Sequence, residues 1–514
     1  MNKNATSSFK NTNGVLRLII IVIAVLAQLA LLLAFVIFLR QNAIYLYVAL
    51  EIAGVIEVLS ISDKNRNTAY TVPWLIVILL LPVFGHILYL LWGRSGTHSR
   101  KSKKTYNILS SGPRWRKQSP GVVTSLTEQY PLKKRTAAYL QKEGFPLYTN
   151  TDCAYFPLGE LQFEALLSDL EEAERYIFME FFIVSEGQLW NRFHEILKLK
   201  AAQGVEVRLL YDDLGSIFTL PKNFIESLSA ERISVQRFNP AHKYLSRLYL
   251  NFRNHQKIVV IDGKIGYTGG TNLADEYANL YEKHGHWKDT AIRLIGEAVW
   301  GLTVTFLQMW ETASGLPEDY EKYHTHTDTI GKGFYQPFDD GPVNQEHNPA
   351  EAEYRQTIHS AQSYVWITTP YLIIDEVMTD ALRTAAVGGV DVRIVTPKIW
   401  DHWYVHMVTR SNYGKLLESG VHIYEYTPGY IHAKTILSDD IHAVTGSINM
   451  DYRSFYLHFE NGVSIYGAPV LQDIKKDMLA TFAVSEEISY EQWKARPYHI
   501  KILQSFLRLF IPLL

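Results

Sequence analysis

The stretch Asn254–Asn272, NHQKIVVIDGKIGYTGGTN, and the stretch Ile431–Asn449, IHAKTILSDDIHAVTGSIN, carry the same pattern. Each has a histidine, a lysine two positions later, an aspartate five positions after the lysine, and then a glycine, a small residue and an asparagine. These positions are His255, Lys257, Asp262, Gly269, Gly270 and Asn272 in the first copy, and His432, Lys434, Asp439, Gly446, Ser447 and Asn449 in the second. Because every offset agrees between the copies, the repeat is hard to explain by chance.

The residues before the two motifs also match in order, which indicates an internal duplication. In each block, short apolar runs typical of strands alternate with stretches typical of amphipathic helices. The strand-like runs are Ala173–Val184, Lys200–Asp212 and Arg232–Pro240, and then Ala361–Ile373, Thr384–Pro397 and Gly420–Gly429. This alternation predicts βαβ units and a mixed or parallel sheet. We therefore predict two α/β domains over residues 131–316 and 350–514, joined by a linker over 317–349 that contains proline and glycine.

Two histidines in one cleft would supply both groups that phosphodiester exchange requires. A neutral histidine can attack phosphorus to form a phosphohistidine, and a protonated histidine can deliver a proton to the leaving oxygen. The lysines and asparagines of the motif would stabilise the phosphoryl oxygens, and the small residues would support that site. Packing of two related domains about a pseudo-twofold axis would bring both motif copies to one cleft.

Each reactive imidazole also needs an acceptor for its second nitrogen. Asp289 in HWKDTAIRLIG and Glu460 in LHFENGVSIYG both begin a strand-like run after their motif, and we expect them to orient the histidines. Asp262 and Asp439 belong to the motif and count among the candidate catalytic residues, although turn hydrogen bonds are their expected use. The other histidines form no metal-ligand pattern, so we predict neither a metal site nor a cofactor.

The first hundred residues are predicted to form a membrane anchor. Leu18–Leu39 has no charged residue and is long enough to cross a bilayer as a helix. Trp74–Trp92 is a second apolar run, and Ile44–Ser60 is a third that carries Glu51 and Glu57, two carboxylates that are costly inside a membrane. We predict three spans, at about 18–39, 44–60 and 74–92, with two spans as the alternative. A cleavable signal peptide is a weaker interpretation of the first run, because no cleavage pattern of small residues follows it.

Basic residues near these runs indicate the orientation. The densest cationic stretch lies within residues 94–117, partly in a basic juxtamembrane linker over 101–130, and places the two domains in the cytoplasm by the positive-inside rule. Lys3, Lys10 and Arg17 favour the cytoplasmic side for the N-terminus as well. Both ends of the anchor can lie on one side only if the number of spans is even, so the side of the N-terminus stays undecided. The apolar stretch Ile500–Leu514 is expected either to lie in the membrane interface or to pack as a terminal helix.

The paired motif resembles that of the phospholipase D superfamily, and several stretches are similar to bacterial cardiolipin synthases in particular. These stretches are AYTVPWLIVILLLPVFGHILYLLWG, NFRNHQKIVVIDGKIGYTGGTNLADEY, TTPYLIIDE, YTPGYIHAK and SINMDYRSFYLHFE. The run at 18–39 exceeds the two-span pattern of that family, and Ser447 stands where the first motif has Gly270. The resemblance implies two phospholipase D-like α/β domains and an enzyme of the bacterial plasma membrane.

The resemblance also implies a reaction. One phosphatidylglycerol would transfer its phosphatidyl group to a histidine and release glycerol, and a second phosphatidylglycerol would then attack to form cardiolipin. By this analogy His255 is the nucleophile and His432 the general acid and base, while Asp289 and Glu460 orient them. The pseudo-symmetry of the motif leaves the order of the two histidines open.

Three alternatives share parts of this pattern. A hydrolytic phospholipase D or a phosphatidylserine synthase would use the same residues and differ in the acceptor. A membrane-tethered nuclease is disfavoured, because the formal net charge of −2 gives no general attraction for nucleic acid. An inactive scaffold is disfavoured by the intact histidine, lysine and asparagine of both motifs.

Overall fold

The structure is a computed structural model that describes residues 30, 42–62, 68–81, 84–89, 100–240, 252–343 and 347–508. The chain divides into two compact units. One unit contains residues 1–96, 244–248 and 508–514, and the other contains residues 97–243 and 249–507. Both motif copies belong to the second unit.

Three helices are described in the first unit: α1 (Asn42–Ser62), α2 (Thr68–Leu80) and α3 (Phe84–Leu88). The chain turns between α2 and α3, so that the rings of Trp74 and Tyr89 meet edge to face with centroids 5.6 Å apart. A Cβ atom on Gly85 would lie 2.2 Å from the Val77 carbonyl oxygen, so this close approach requires glycine. The stretch predicted as one span over 74–92 is therefore not one straight helix.

The predicted membrane spans are not confirmed. Within the described segments, the structure contains no helix with both the length and the apolar character needed to cross a bilayer. The predicted span 18–39 lies outside the described residues apart from Ala30, and the span 44–60 falls within α1. Glu57 of α1 lies 2.8 Å from Nδ1 of His86, which gives this carboxylate a partner inside the apolar unit.

The second unit is built on two mixed sheets. The strands of its first half are β1 (Thr151–Phe156), β2 (Tyr176–Phe181), β3 (Glu206–Asp212), β4 (Ser234–Phe238), β5 (Arg253–Asn254), β6 (Ile258–Ile261), β7 (Ile265–Gly269), β8 (His286–Lys288) and β9 (Ala291–Gly296). The strands of its second half are β10 (Phe334–Asp340), β11 (Tyr364–Thr368), β12 (Leu372–Ile373), β13 (Asp391–Pro397), β14 (His422–Tyr426), β15 (Gly429–Ile431), β16 (Thr435–Ser438), β17 (His442–Gly446), β18 (Met450–Asp451), β19 (His458–Tyr466) and β20 (Ser485–Ile488).

Helices cover the faces of these sheets. In the first half they are α4 (Arg100–Leu109), α5 (Gly112–Trp115), α6 (Val122–Gln129), α7 (Lys134–Lys142), α8 (Gly159–Glu171), α9 (Gln188–Ala202), α10 (Asp213–Ser216), α11 (Phe224–Ala230) and α12 (Val299–Ser314). In the second half they are α13 (Pro349–His359), α14 (Glu376–Val387), α15 (Trp403–Glu418), α16 (Tyr452–Tyr456), α17 (Val470–Ala483), α18 (Tyr490–Lys494) and α19 (Tyr498–Arg508).

The strand orders confirm the predicted duplication into two α/β domains. The first sheet runs β1-β9-β7-β6-β2-β3-β4, and the second repeats this order as β10-β19-β17-β16-β11-β13-β14, with β20 added at its edge. In each sheet, the strand that follows the motif histidine and lysine is β6 or β16. It pairs antiparallel with the first strand of the parallel pair, which is β2 or β11. The two motif segments therefore begin at the edge where the parallel strands end.

Two stretches predicted as linkers are part of the packed unit. Within residues 101–130, the buried Arg116 donates to Asp339 (2.6 Å), and Gln308 of α12 donates to the carbonyls of Ile108 and Leu109 (2.8 Å each). Within residues 317–349, strand β10 pairs with β19. Pro337 lies in β10 and is tolerated because β10 is an edge strand of its sheet.

Candidate active site

Each motif histidine is held against the other half of the duplication by a short parallel strand pair. Strand β5 of the first half pairs with the start of β19, and β15 of the second half pairs with β8. The His255 N–H then donates to the Phe459 carbonyl (2.9 Å), and the His432 N–H donates to the Lys288 carbonyl (2.7 Å). Both histidines therefore reach the site through an exchange of strands between the halves.

The two acids predicted to orient the histidines do contact them, and they also do so across the halves. Nδ1 of His255 lies 2.9 Å from the Glu460 carboxylate, and Nδ1 of His432 lies 2.6 Å from that of Asp289. Both carboxylates are completely buried. With Nδ1 donating to a carboxylate, Nε2 is the ring nitrogen that carries the lone pair.

The motif lysines bring two positive charges to the same place. The ammonium groups of Lys257 and Lys434 are buried, and each donates to the carbonyl of its own motif histidine. The charge of either lysine lowers the pKa of both His255 and His432, and the His432 charge lowers the pKa of His255. These mutual effects agree with the crossed histidine–acid contacts, which bring the two copies of the motif to one place.

Burial and the lysine charges hold both histidines neutral. Burial, followed by Lys257 and Lys434, lowers the pKa of His255 well below its ordinary value. Burial and Lys434 lower the pKa of His432 to about 4, although Asp289 acts in the opposite direction. A neutral imidazole is the form that can attack phosphorus. An anionic phosphate beside these rings would raise both pKa values and favour protonation of one of them.

The small residues after each motif make room for the buried acids. A Cβ atom on Gly270 would lie 2.1 Å from Oδ1 of Asp289, and one on Gly269 would lie 2.4 Å from a backbone carbonyl. A Cβ atom on Gly446 would likewise meet a carbonyl of β19 at 2.3 Å. The Ser447 hydroxyl stands where Gly270 does and donates to Glu460. Gly270 and Ser447 therefore adjoin the buried acids, whereas Gly269 and Gly446 allow a close approach of neighbouring backbone. The phosphate-binding or supporting role expected of these four positions stays a prediction.

The two asparagines have unequal surroundings. Asn272 accepts a hydrogen bond from the Ile183 N–H (3.0 Å) and donates to the Tyr277 hydroxyl (2.7 Å). Its amide oxygen and one of its N–H groups are therefore already used in hydrogen bonds within the protein. Asn449 is buried, and its Oδ1 has no hydrogen-bond partner within the described segments. The phosphate-binding role expected for both residues remains a proposal, and for Asn272 it is limited to the second N–H of the amide.

The two motif aspartates cap a strand instead of taking part in chemistry. Asp262 accepts from the N–H groups of Glu174, Arg175 and Tyr176 at 2.7–2.8 Å, immediately before and at the start of β2. Asp439 does the same for the residues that begin β11, at 2.8–3.0 Å. Each aspartate lies at the far end of the motif strand from its histidine. Their place among the candidate catalytic residues is therefore corrected to a structural one.

Comparison with known proteins agrees with this geometry. The family model described as cardiolipin synthase, phospholipase D-like domain, matches residues 166–288 and 354–481, and the phospholipase D-nuclease N-terminal model matches residues 44–94. A cardiolipin synthase of Geobacillus kaustophilus is 36% identical over 89% of this chain and 91% of its own length. One of Listeria monocytogenes is 33% identical over 91% of this chain and 99% of its own length. The chain belongs to the cardiolipin synthase family.

Two further similarities place the family in a wider context. An uncharacterised protein of Streptococcus mutans is 38% identical over 89% of this chain and 99% of its own. The crystal structure of a phosphatidylserine synthase from Haemophilus influenzae superposes with a TM-score of 0.57 at 14% identity, covering 74% of this chain and all of that one. The latter likeness shows that the two proteins share a fold.

The structure adds residues that the paired motif did not predict. His458 and Trp287 occupy equivalent positions, two residues before Glu460 and Asp289. The His458 ring lies 5.4 Å from that of His255, and the Trp287 ring lies 5.6 Å from that of His432. Tyr277 and Tyr430 also surround His432, with ring centroids 5.5 and 6.0 Å away. In this member of the cardiolipin synthase family the surroundings of the two motif histidines thus differ: His255 adjoins a second imidazole and the Phe182 ring (5.1 Å), whereas His432 adjoins three larger aromatic side chains.

Three side chains in the described part of the chain lie close enough together to be considered as a cation site. His255, His458 and Glu460 each offer a ligand atom, and these atoms lie within 4.8 Å of one another. The Glu460 carboxylate already accepts hydrogen bonds from His255 and from Ser454 (2.7 Å). Arg453 lies 3.3 Å from Nε2 of His458 and adds positive charge. Both features oppose the binding of a cation, and we assign this group to hydrogen bonding.

The pH dependence of kcat/KM should follow the ionisation of Lys434. Burial lowers its pKa to about 8, although Asp289 and Glu460 act in the opposite direction. Because kcat/KM follows the ionisation of the free enzyme, we expect it to fall by about tenfold per pH unit above about pH 8, where Lys434 loses its charge. Lys434→Arg should lower the overall activity but move this limb to higher pH, since arginine stays charged. The measurement is kcat/KM for a soluble short-chain phosphatidylglycerol between pH 6 and 10.

Burial also lowers the pKa of Lys257 well below its ordinary value, so Lys257→Arg is measured beside Lys434→Arg, and a limb that moves in this variant instead would assign the limb to Lys257. An unchanged limb in Lys434→Arg would contradict the assignment to Lys434.

Proposed function

We propose that the chain is a cardiolipin synthase that uses phosphatidylglycerol both as the donor and as the acceptor of a phosphatidyl group. The observation that carries this proposal is the pair of crossed histidine–acid contacts, His255 with Glu460 and His432 with Asp289. Two oriented imidazoles and two buried ammonium groups match a double displacement at phosphorus, with one histidine for attack and one for proton transfer. Membership of the cardiolipin synthase family supports the choice of lipids.

In the first step, Nε2 of His255 attacks the phosphorus of one phosphatidylglycerol. The bond from phosphorus to the head-group glycerol oxygen breaks, and His432 in its protonated form gives that oxygen a proton. The products are free glycerol and a phosphatidyl group on His255. Burial and the two lysines hold the pKa of His255 well below its ordinary value, which favours the unprotonated form that a nucleophile needs.

In the second step, the terminal hydroxyl of another phosphatidylglycerol attacks the same phosphorus. His432 takes the hydroxyl proton, the bond between phosphorus and Nε2 of His255 breaks, and cardiolipin leaves. Lys257 and Lys434 would stabilise the negative charge that the phosphoryl oxygens carry through both steps. His432 therefore alternates between acid and base, and its neutral form is ready for this half of the cycle.

Water is the competing acceptor in the second step and would give phosphatidic acid. The rings of Tyr277, Trp287 and Tyr430 around His432 present apolar surface where the acceptor must bind, and such surface favours a lipid alcohol over water. This observation supports transfer over hydrolysis. The proposed location is the bacterial plasma membrane, with the two phospholipase D-like domains on the cytoplasmic side and residues 1–100 as the anchor.

The product from phosphatidylglycerol alone tests the proposed function. We expect purified full-length protein in phosphatidylglycerol vesicles to form cardiolipin and glycerol in equal amounts, because each transfer releases one glycerol. The products are measured by lipid mass spectrometry and an enzymatic glycerol assay. Phosphatidic acid as the main product would instead make the protein a hydrolytic phospholipase D. No product from phosphatidylglycerol, with turnover of another phospholipid, would refute the proposed substrate.

A further inference from the structure

Five apolar side chains are exposed on two loops of the catalytic unit. Leu280 and Tyr281 lie between a 3₁₀ turn at 275–278 and β8, and their exposed fractions are 39% and 48%. Ile399 and Trp400 follow the end of β13, and Trp403 is the first residue of α15; their exposed fractions are 38%, 50% and 49%. We refer to these five residues as the aromatic rim. Single exposed apolar residues are common on protein surfaces, but tryptophans grouped in this way are not.

The second loop of the rim lies at the edge of the sheet that carries the reactive groups. Thr368 at the end of β11 pairs with Thr435, the residue after Lys434. Strand β13 runs parallel to β11 and ends at Pro397, so the loop that follows begins at the same edge. Within this loop, Asp401 accepts from the Tyr371 hydroxyl (2.5 Å), and its charge acts on the pKa of Lys434. The loop therefore borders the active site.

The first loop of the rim borders the same site. The His284 ring lies 6.1 Å from that of Tyr430, whose ring is 6.0 Å from that of His432. The charge of Asp401 in the other loop acts on the pKa of both Lys283 and His284. The two loops are therefore neighbours, and both lie beside the site.

Two cations beside the rim are already paired with carboxylates, and Glu282 is an exposed carboxylate between Tyr281 and Lys283. Lys283 lies 2.9 Å from Glu276, and His402 lies 2.9 Å from Asp401. Paired charges give little net attraction to a charged partner, whereas the exposed tryptophans and tyrosine gain free energy when they leave water. The chemistry of the rim therefore favours a neutral or mixed apolar surface over a polyanion.

We propose that the aromatic rim inserts into the head-group region of a phospholipid bilayer and seats the active site on the leaflet that holds both lipid substrates. This inference rests on the proposed function, because it assumes substrates that remain in a bilayer. Tryptophan and tyrosine side chains prefer the boundary between head groups and acyl chains, where the ring is buried and its polar atom stays hydrated. A lipid head group would then enter the site beside His432 without leaving the membrane surface.

The kinetic test compares lipid in a bilayer with lipid in solution. The double variant Trp400→Ser/Trp403→Ser of the full-length protein is assayed on long-chain phosphatidylglycerol vesicles and on monomeric dihexanoyl phosphatidylglycerol. We expect kcat/KM to fall by about tenfold on vesicles, because two interfacial rings are lost, and by less than about twofold on the soluble lipid. The matched control is Val387→Ser, which alters a 73% exposed residue at the end of α14, before the start of β13 and away from the rim.

A spin label gives a direct measurement of insertion. Cys153 is the only cysteine of the chain, so Trp400→Cys in a Cys153→Ala background carries one label at the rim. On vesicles we expect this label to be more accessible to oxygen than to a water-soluble nickel complex, while a label at Val387→Cys should stay in water.

Several outcomes would overturn the proposal. A rim label that stays in water on active vesicles would exclude insertion. Equal losses on both lipids in the double variant would assign the tryptophans to the catalytic unit itself. A label that becomes buried without vesicles, as the protein concentration rises, would identify a second copy of the chain as the occupant. Absence of cardiolipin from either lipid in the unaltered protein would refute the proposed function instead.

Discussion

His432→Ala is expected to abolish cardiolipin synthesis from phosphatidylglycerol but to keep releasing p-nitrophenol from a phosphatidyl p-nitrophenyl ester. Glycerol is a poor leaving group and needs the proton that His432 supplies, so its loss should cost about 10⁴-fold. p-Nitrophenolate leaves without a proton, so the rate of the first-turnover burst should stay within about tenfold of that of the unaltered protein. Because the variant also lacks the base for the second step, the phosphatidyl group should accumulate on His255.

His255→Ala should lose both reactions, at least about 10⁴-fold each, because no nucleophile remains for either ester. The measurements are the burst of p-nitrophenol and the retention of a labelled phosphatidyl group on denatured protein at alkaline pH, where phosphohistidine is stable. The control is His347→Ala, whose side chain is 54% exposed and contacts Glu143, and it should remain fully active. Ester cleavage by His255→Ala but not by His432→Ala would reverse the two roles.

The second large effect concerns the acids, and the exchange between halves determines which step each acid serves. Glu460→Gln should slow p-nitrophenol release by about 10- to 100-fold, because His255 loses the acceptor that orients it. Asp289→Asn should leave that release nearly unchanged and slow cardiolipin formation by a similar factor, because Asp289 holds His432. Both variants should keep partial activity, since neither acid contacts the phosphorus.

The same two assays distinguish this exchange from pairing within each half. If Asp289 served the histidine of its own motif, Asp289→Asn would slow p-nitrophenol release and Glu460→Gln would not. Asp380→Asn is the control, because that carboxylate is 73% exposed and pairs only loosely with Arg383 at 3.8 Å. Thermal unfolding of each variant separates loss of orientation from loss of fold.

The repeated motif and the acids could be predicted from the sequence, but the pairing between them could not. Equal offsets identified His255 and His432, the start of the strand-like run after each motif identified Asp289 and Glu460, and the structure brings all four together. The exchange depends on β5 and β15, which have only two and three residues. Strands this short show no periodicity of their own, and each acid follows its own motif along the chain in the same way. Nothing in the pattern therefore indicated that each acid would serve the other half.

The residues around the motif were harder to predict for a related reason. A sequence repeat identifies positions at which the two halves carry the same residue. His458 and Trp287 occupy equivalent positions but are different residues, so the repeat does not identify them. The packed character of residues 101–130 was missed because their basic side chains were read as a membrane flank, although Arg116 is buried against Asp339. The sequence does not predict strand β10, because Pro337 and the terminal Asp339 and Asp340 interrupt its apolar pattern.

The strand exchange also has a consequence for the order in which the protein is made. His255 emerges from the ribosome 205 residues before Glu460, the acid that will orient it. Asp289 likewise emerges 143 residues before His432, the histidine that it contacts. A nascent chain that contains only the first half therefore carries His255 without its acid and Asp289 without its histidine, and neither contact can form before the second half has been translated. The duplication thus ties assembly of the site to synthesis of the second half.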